Sequence, residues 1–350
     1  MNHPLFLMSK PEALKEIQQT AEMILTKSEA PAVRVRLLRD ILHRPHDDPE
    51  LVEAKEQLET TEWVRLLAEN QHQTGYFHHR MKPQLRADTF TTCFGIALDI
   101  GLGKEHPILA KAKAFAEWCL SEGVLDALSQ MDPSPPGNPD RSVFELNLAA
   151  MLAQLDNESL LVEEVYGKWL TIAGVALLES GKYDREAQKR VTTVIFSPDY
   201  NLGHSVRYME WVLATAAPLL AARPDLLDPD VDEAYARWYV HERHEINRTL
   251  ERISSPSCRP SHRSLFVAGM LLDMESLYGF RNWGVHIEEI ANYFWRVRPE
   301  DGLWNFGSAC ANPYFTTRIR LSDGWQGKRG AHDWTTRILL LLQKYYESNH

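Results

Sequence analysis

Apolar residues recur along this chain at i, i+3 and i+4 from end to end, and the strict alternation of a half-buried strand is rare. The pattern predicts helices over 10–27, 31–43, 49–59, 61–73, 87–101, 107–122, 142–155, 158–179, 184–195, 204–222, 230–252, 262–279, 284–298 and 333–347. Pro31, Pro49 and Pro107 each fall where a first helical turn begins, a place where the missing N–H costs nothing. The proline-rich run 131–140 and the segments 254–261 and 305–331 read as loops.

The helices come in pairs. A break such as Asp48-Pro49, His106-Pro107, Asp156-Asn157 or Asp228-Pro229 precedes a helix that carries Trp63, Trp118, Trp169 or Trp238 in turn, and Tyr278-Gly279 precedes Trp295. These tryptophans lie roughly 50–70 residues apart, a period suited to two helices and two loops. Helices such as 107–122 are amphipathic, whereas those near 89–101 and 264–277 are apolar or small on most faces. That contrast predicts buried inner helices wrapped by half-exposed outer ones, an all-α fold.

A second regularity sits at the helix ends. Gln71-His-Gln-Thr-Gly75-Tyr-Phe77 and Arg298-Pro-Glu-Asp-Gly302-Leu-Trp304 each follow a helical run, turn at a glycine and place an aromatic two residues later. Glu179-Ser-Gly181-Lys-Tyr183 is a third, shorter version. Glycine can take the left-handed conformation that ends a helix, and the aromatic then covers the turn.

These turns resemble the QW-type repeat of the α/α-toroid proteins, the class II terpenoid cyclases and the β subunits of protein prenyltransferases. Gln71…Gly75-x-Phe77 is similar to Q-x3-G-x-W with Phe for Trp, and Arg298…Gly302-x-Trp304 has Arg for Gln. Asp333-Trp-Thr-Thr-Arg337 and the leucine run after it look like the closing inner helix. The resemblance implies a closed ring of about five or six helical hairpins over residues 48–350, preceded by an N-terminal helical extension, 1–47. Two family signatures are absent. No D-x-D-D acid occurs, and the acids of Asp228-Pro-Asp230-Val-Asp232 suit a helix start. Asp301, Cys310 and His332 are not spaced like the prenyltransferase zinc ligands, and His241-Glu-Arg-His244 is not H-E-x-x-H. No metal site is expected.

In such a ring the N-termini of the inner helices gather at one mouth. Arg86 and Asp88, Arg141 and Glu145, His204, Arg207 and Tyr208, His262 and Arg263, and His332, Asp333 and Arg337 all fall at those starts. Helix N-termini favour anions, and guanidinium groups grip phosphate or carboxylate in a forked manner. Phe90, Phe94, Trp211, Phe266, Met270 and Trp334 would line the apolar space below. For catalysis, His204, His262 and Tyr208 are the natural proton-transfer groups, with Asp88 or Asp333 as an acid if burial raises its carboxyl. The blander reading makes Asp88 and Asp333 capping acids, pairs Arg207 and Arg337 with Glu210 and Asp333, and leaves the histidines at the surface.

Composition narrows the partners. A net charge of −10 and a pI near 5.8 argue against nucleic acid or an anionic membrane. Four scattered cysteines, no signal-peptide pattern and no long apolar run fit a reduced, cytoplasmic protein. The expectation is an enzyme acting on an isoprenoid, or another apolar small molecule with an anionic head. It needs no cofactor, although Mg2+ would accompany a diphosphate. Two alternatives stand beside it. One is a glycan-active toroid, such as a uronate lyase or unsaturated-glycan hydrolase, with exposed tryptophans stacking sugars. The other is a non-catalytic ligand-binding ring.

Overall fold

A computed structural model describes residues 8–77, 89–123, 141–196, 213–253 apart from 215, 221, 224 and 243, then 255, 261, 264–265, 267–269, 285–306 and 328–348. Among them every extended element of secondary structure is helical, and one isolated bridge joins Gln71 to Phe77. The order is α1 (Lys10–Leu25), α2 (Pro31–Arg36), α3 (Pro49–Glu59), α4 (Glu62–Asn70), α5 (Thr89–Asp99), α6 (Pro107–Glu122) and α7 (Arg141–Leu155). It continues with α8 (Leu160–Leu178), α9 (Arg185–Phe196), α10 (Ala217–Leu220), α11 (Pro229–Arg237), α12 (His244–Ile253), α13 (Val285–Arg296) and α14 (Lys328–Ser348). Wide π turns, Leu37–Ile41 and Trp238–Glu242, follow α2 and α11.

Three of the breaks read from the sequence are helix caps. The Asp48 carboxylate accepts from the N–H groups of Glu50 and Leu51 at 2.9 and 3.2 Å, with Pro49 next in the chain. Asp228 does the same for Asp230 and Val231 at 2.9 and 3.3 Å, so the acids of that run start a helix. At α6 the cap is His106, whose Nδ1 accepts from the Ile108 N–H at 3.2 Å. Each cap satisfies N–H groups that no helical carbonyl can reach.

Burial separates the helices into two kinds. α1 buries one stripe, Ala13, Ile17, Thr20, Ala21 and Ile24, and α6 likewise buries Ile108, Leu109, Ala112, Phe115, Ala116 and Cys119. In α7, by contrast, residues 142–155 are buried except Asn147 and Gln154, and in α14 residues 330–336 are buried without interruption. A helix covered on every face lies inside others. Successive elements pack side by side: α6 on α7, α7 on α8, α8 on α9 and α11, α12 on α13, and α13 on α14. The last helix, α14, then packs on α1, α2 and the first π turn, so the two ends of the described chain meet.

Among the described residues, two boundaries differ from expectation by more than two residues. Helix α4 stops at Asn70 because Gln71 turns to extended backbone, ψ 119°, and aims its amide at the neighbouring turn. Helix α14 begins at Lys328, more than a turn before Asp333. Gly330 is a poor helix former, yet packing on all sides supplies what its propensity lacks.

The glycine turns share one construction. The Gln71 side-chain Nε2 donates to the Gly75 carbonyl at 3.1 Å and to the Ile108 carbonyl in the first turn of α6 at 2.8 Å. Arg298 Nε donates to the Gly302 carbonyl at 2.9 Å. The Gly181 carbonyl accepts from Arg237 Nη2 of α11 at 3.3 Å, and the Tyr183 ring stacks on Trp238 with centroids 5.4 Å apart. All three glycines have positive φ, at +95°, +69° and +77° for Gly75, Gly181 and Gly302. No helix among the described residues is long and apolar enough to cross a membrane.

Candidate functional site

The first halves of the buried helices carry a group of buried polar side chains. Ser142 and Glu145 of α7, Ser264, and His332, Asp333, Thr335 and Thr336 of α14 are all buried, whereas the later turns of α7 and α14 bury mostly apolar side chains. Keeping polar groups out of water is costly unless each is bonded, and such groups concentrate where chemistry is done or specificity is set. Their partners explain several of them. Thr335 Oγ1 donates to the Trp304 carbonyl at 3.3 Å, which docks the second glycine turn onto α14. Thr336 Oγ1 donates back to the His332 carbonyl at 2.7 Å. Ser264 and Ser261 bond reciprocally, the Ser264 N–H to Ser261 Oγ at 3.2 Å and the Ser261 N–H to Ser264 Oγ at 2.9 Å, closing a helix start. Ser264 Oγ also lies 3.1 Å from the Tyr293 hydroxyl of α13.

Charge at these starts is paired. The Glu145 carboxylate meets Lys168 of α8 at 2.7 Å, and Lys168 also reaches Glu164 at 3.0 Å. Burial alone would lower the Lys168 ammonium, but Glu145 and Glu164 together outweigh it and hold it above its ordinary value. On α14, Asp333 lies 3.0 Å from Arg337 Nε, and Arg337 Nη1 is 3.3 Å from Asp99 at the end of α5. Burial opposes the Arg337 charge, and the flanking Asp99 and Asp333 carboxylates more than restore it. Asp333, fully buried, is thus committed to an ion pair inside the fold. The longer α14 also places Asp333 inside the helix, away from any capping position.

Arginines of the N-terminal helices complete this floor. Arg36 Nη1 donates to the Leu98 carbonyl at 2.8 Å and Arg39 Nη1 to the Gly101 carbonyl at 2.7 Å, satisfying acceptors at and just past the C-terminal end of α5. Asp40 lies between them, 2.8 Å from Arg36 and 2.6 Å from Arg39. Burial would raise its carboxyl, but Arg36, aided by Arg39, holds it below the usual carboxylate range.

Of the residues expected to form the mouth and cavity, Arg86, Asp88, His204, Arg207, Tyr208, Trp211, His262, Arg263, Phe266 and Met270 lie outside the described residues, as does the Arg141 side chain. Asp333, Trp334 and Arg337 are brought together on α14. Trp334 is buried with the Phe306 ring edge-on at 5.2 Å. Phe90 and Phe94 are buried on α5, and Phe90 packs toward the outer helix, against Phe115 at 4.8 Å and stacked on Tyr76 at 5.8 Å. None of the described tryptophans is exposed: Trp169, Trp238, Trp304 and Trp334 are buried, and Trp63, Trp118 and Trp295 are partly covered against the core. That corrects the expectation of exposed indoles for stacking sugars, as far as the described residues extend.

No group of three metal-ligating side chains comes together among the described residues. Asp301 is engaged in its own turn, accepting from the Leu303 N–H at 3.2 Å. The Cys119 thiol is pushed up to about 12 by burial, so it stays protonated and unreactive. Sequence reasoning missed the Lys168–Glu145 and Arg337–Asp99 pairs, because their members are far apart in the chain. The buried threonines carried one usable signal, a polar pair lying inside an apolar helical run. Protein-family models, curated proteins and solved structures yield no match to this chain.

Proposed function

We propose that the chain is a closed α/α ring that takes an apolar small molecule with an anionic head, of the isoprenoid kind, with the head at the starts of the inner helices. The observation that carries this reading is the concentration of buried polar side chains, Ser142, Glu145 and Ser264 near helix starts and His332 to Thr336 in the first half of α14, above turns that are apolar. The packing of α14 on α1 and α2 supports closure of the ring. In this reading Arg86, Arg207 and Arg263 hold the head, with Mg2+ accompanying it where the head is a diphosphate. Asp88 donates a proton to the apolar chain, and His204, His262 or Tyr208 removes one, so the net step is an isomerisation or cyclisation without an added reactant. Asp333 and Arg337, paired within the fold, position the last helix.

A second reading, a ring that binds such a ligand without turning it over, is favoured by that same pairing, since it commits two of the charged groups to the fold. The uronate reading draws nothing from the described tryptophans.

The test is a thermal-shift screen of the full chain against prenyl diphosphates, fatty acids, oligouronates, inorganic diphosphate and zinc, repeated with Arg207→Ala and Arg263→Ala. Stabilisation by a prenyl diphosphate, lost in either variant, is the expected result, and product analysis then separates turnover from binding. Stabilisation by oligouronates alone, or by nothing, overturns the proposal.

A further inference from the structure

We infer that the N-terminal pair, α1 with α2 and its π turn, is the hairpin that closes the ring, and that Arg298 is the latch by which this strap is held and released. Gln71 and Arg298 occupy equivalent places in the two glycine turns, and each donates to the carbonyl of the glycine four residues on. Each also reaches one element further. For Gln71 that element is α6, the next outer helix. For Arg298 it is α1: Nη1 bonds Glu16 Oε1 at 2.7 Å and Nη2 bonds Thr20 Oγ1 at 2.7 Å. By this equivalence α1 stands where the next outer helix belongs.

The burial of the pair agrees. α1 is covered along one stripe, as α6 is, while Ala32, Val33, Val35, Leu37, Leu38 and Ile41 bury most faces of the segment after it, as in an inner helix.

The seam depends on Arg298 for a physical reason. Three of the five buried residues of α1 are Ala13, Thr20 and Ala21, so the stripe removes little apolar area from water and directional bonds carry more of the attachment. Arg298 supplies two such bonds to α1 and a third to its own turn, with its guanidinium over the rings of Trp295 and Trp304 at 5.5 and 5.1 Å. These ring contacts hold the guanidinium in place, so little freedom is lost when the fork engages α1. Releasing the fork frees α1 without disturbing the packing of α6, α7 and α8 on one another, which is how a strap opens. The inference takes the ring from the reading above and nothing from its ligand, so each can fail without the other.

Hydrogen exchange of the full chain, read by mass spectrometry, tests it. In Arg298→Ala the amides of residues 13–25 should exchange at least about tenfold faster than in the wild type, while those of α7 and α8 keep their rates. Arg298→Gln should keep part of the protection, since Gln71 shows that an amide can bridge a glycine carbonyl and the next helix. The double variant Glu16→Ala, Thr20→Val removes the partners on α1 alone and should loosen the same residues, which decides the matter should Arg298→Ala not fold. Wild-type exchange in α1 of the double variant, or loosening spread evenly over the chain, overturns the latch.

Discussion

Replacing Gly75 by alanine should damage this fold far more than the same change at Gly181, although both glycines have positive φ. An L-residue in that region costs about 1–2 kcal/mol at either site. The surroundings then differ. A Cβ on Gly181 would meet nothing within 4 Å, whereas a Cβ on Gly75 would lie 2.0 Å from the Lys111 carbonyl oxygen and 2.7 Å from its carbon. Those are backbone atoms of α6, so the turn must withdraw from the helix. Withdrawal strains the Gln71 bond to the Ile108 carbonyl, about 1 kcal/mol, and the Tyr76–Phe115 ring contact, about 0.5–1.5 kcal/mol. Gly75→Ala should therefore lose about 2.5–4.5 kcal/mol and Gly181→Ala about 1–2 kcal/mol. For a chain of 350 residues these become falls in Tm of about 3–6 °C and about 1–3 °C. Circular dichroism melts of the two variants beside the wild type read the difference. Equal falls would mean that the close approach of turn and helix is not as described, and the shared construction of the glycine turns would fall with it.

Two further outcomes follow from the buried charges. The Asp40 carboxyl is held below its unfolded value by Arg36 and Arg39, so its contribution is present above about pH 4 and is lost as pH falls through the folded value. The Tm advantage of the wild type over Asp40→Asn should accordingly shrink below about pH 4, and a difference independent of pH from neutral to acid would refute the pairing. Arg337→Met leaves Asp333 and Asp99 facing each other's charge without the cation between them, and should cost about 3–5 kcal/mol in urea unfolding. Adding Asp333→Asn and Asp99→Asn to Arg337→Met should restore most of that loss, and no recovery would show that Arg337 acts through packing alone.

Much of this fold is legible in the sequence because its signals are local. Asp48-Pro49, His106-Pro107 and Asp228-Pro229 mark helix starts through bonds that span two or three residues, and the glycine turns through bonds that span four. The apolar period likewise reports which helices bury one stripe and which bury nearly every face, since burial acts on each residue's side of its own helix. What the sequence could not supply is the choice of partner across the chain. Arg337 meets Asp99 over 238 positions and Arg298 meets Glu16 over 282, and no spacing rule connects residues so far apart. The start of α14 at Lys328 and the turn of Phe90 toward Phe115 belong to the same class. Helix caps and periodicity are set by the backbone a few residues either way. Pairings and packing are set by which helices the fold brings side by side, and only the tertiary structure decides that.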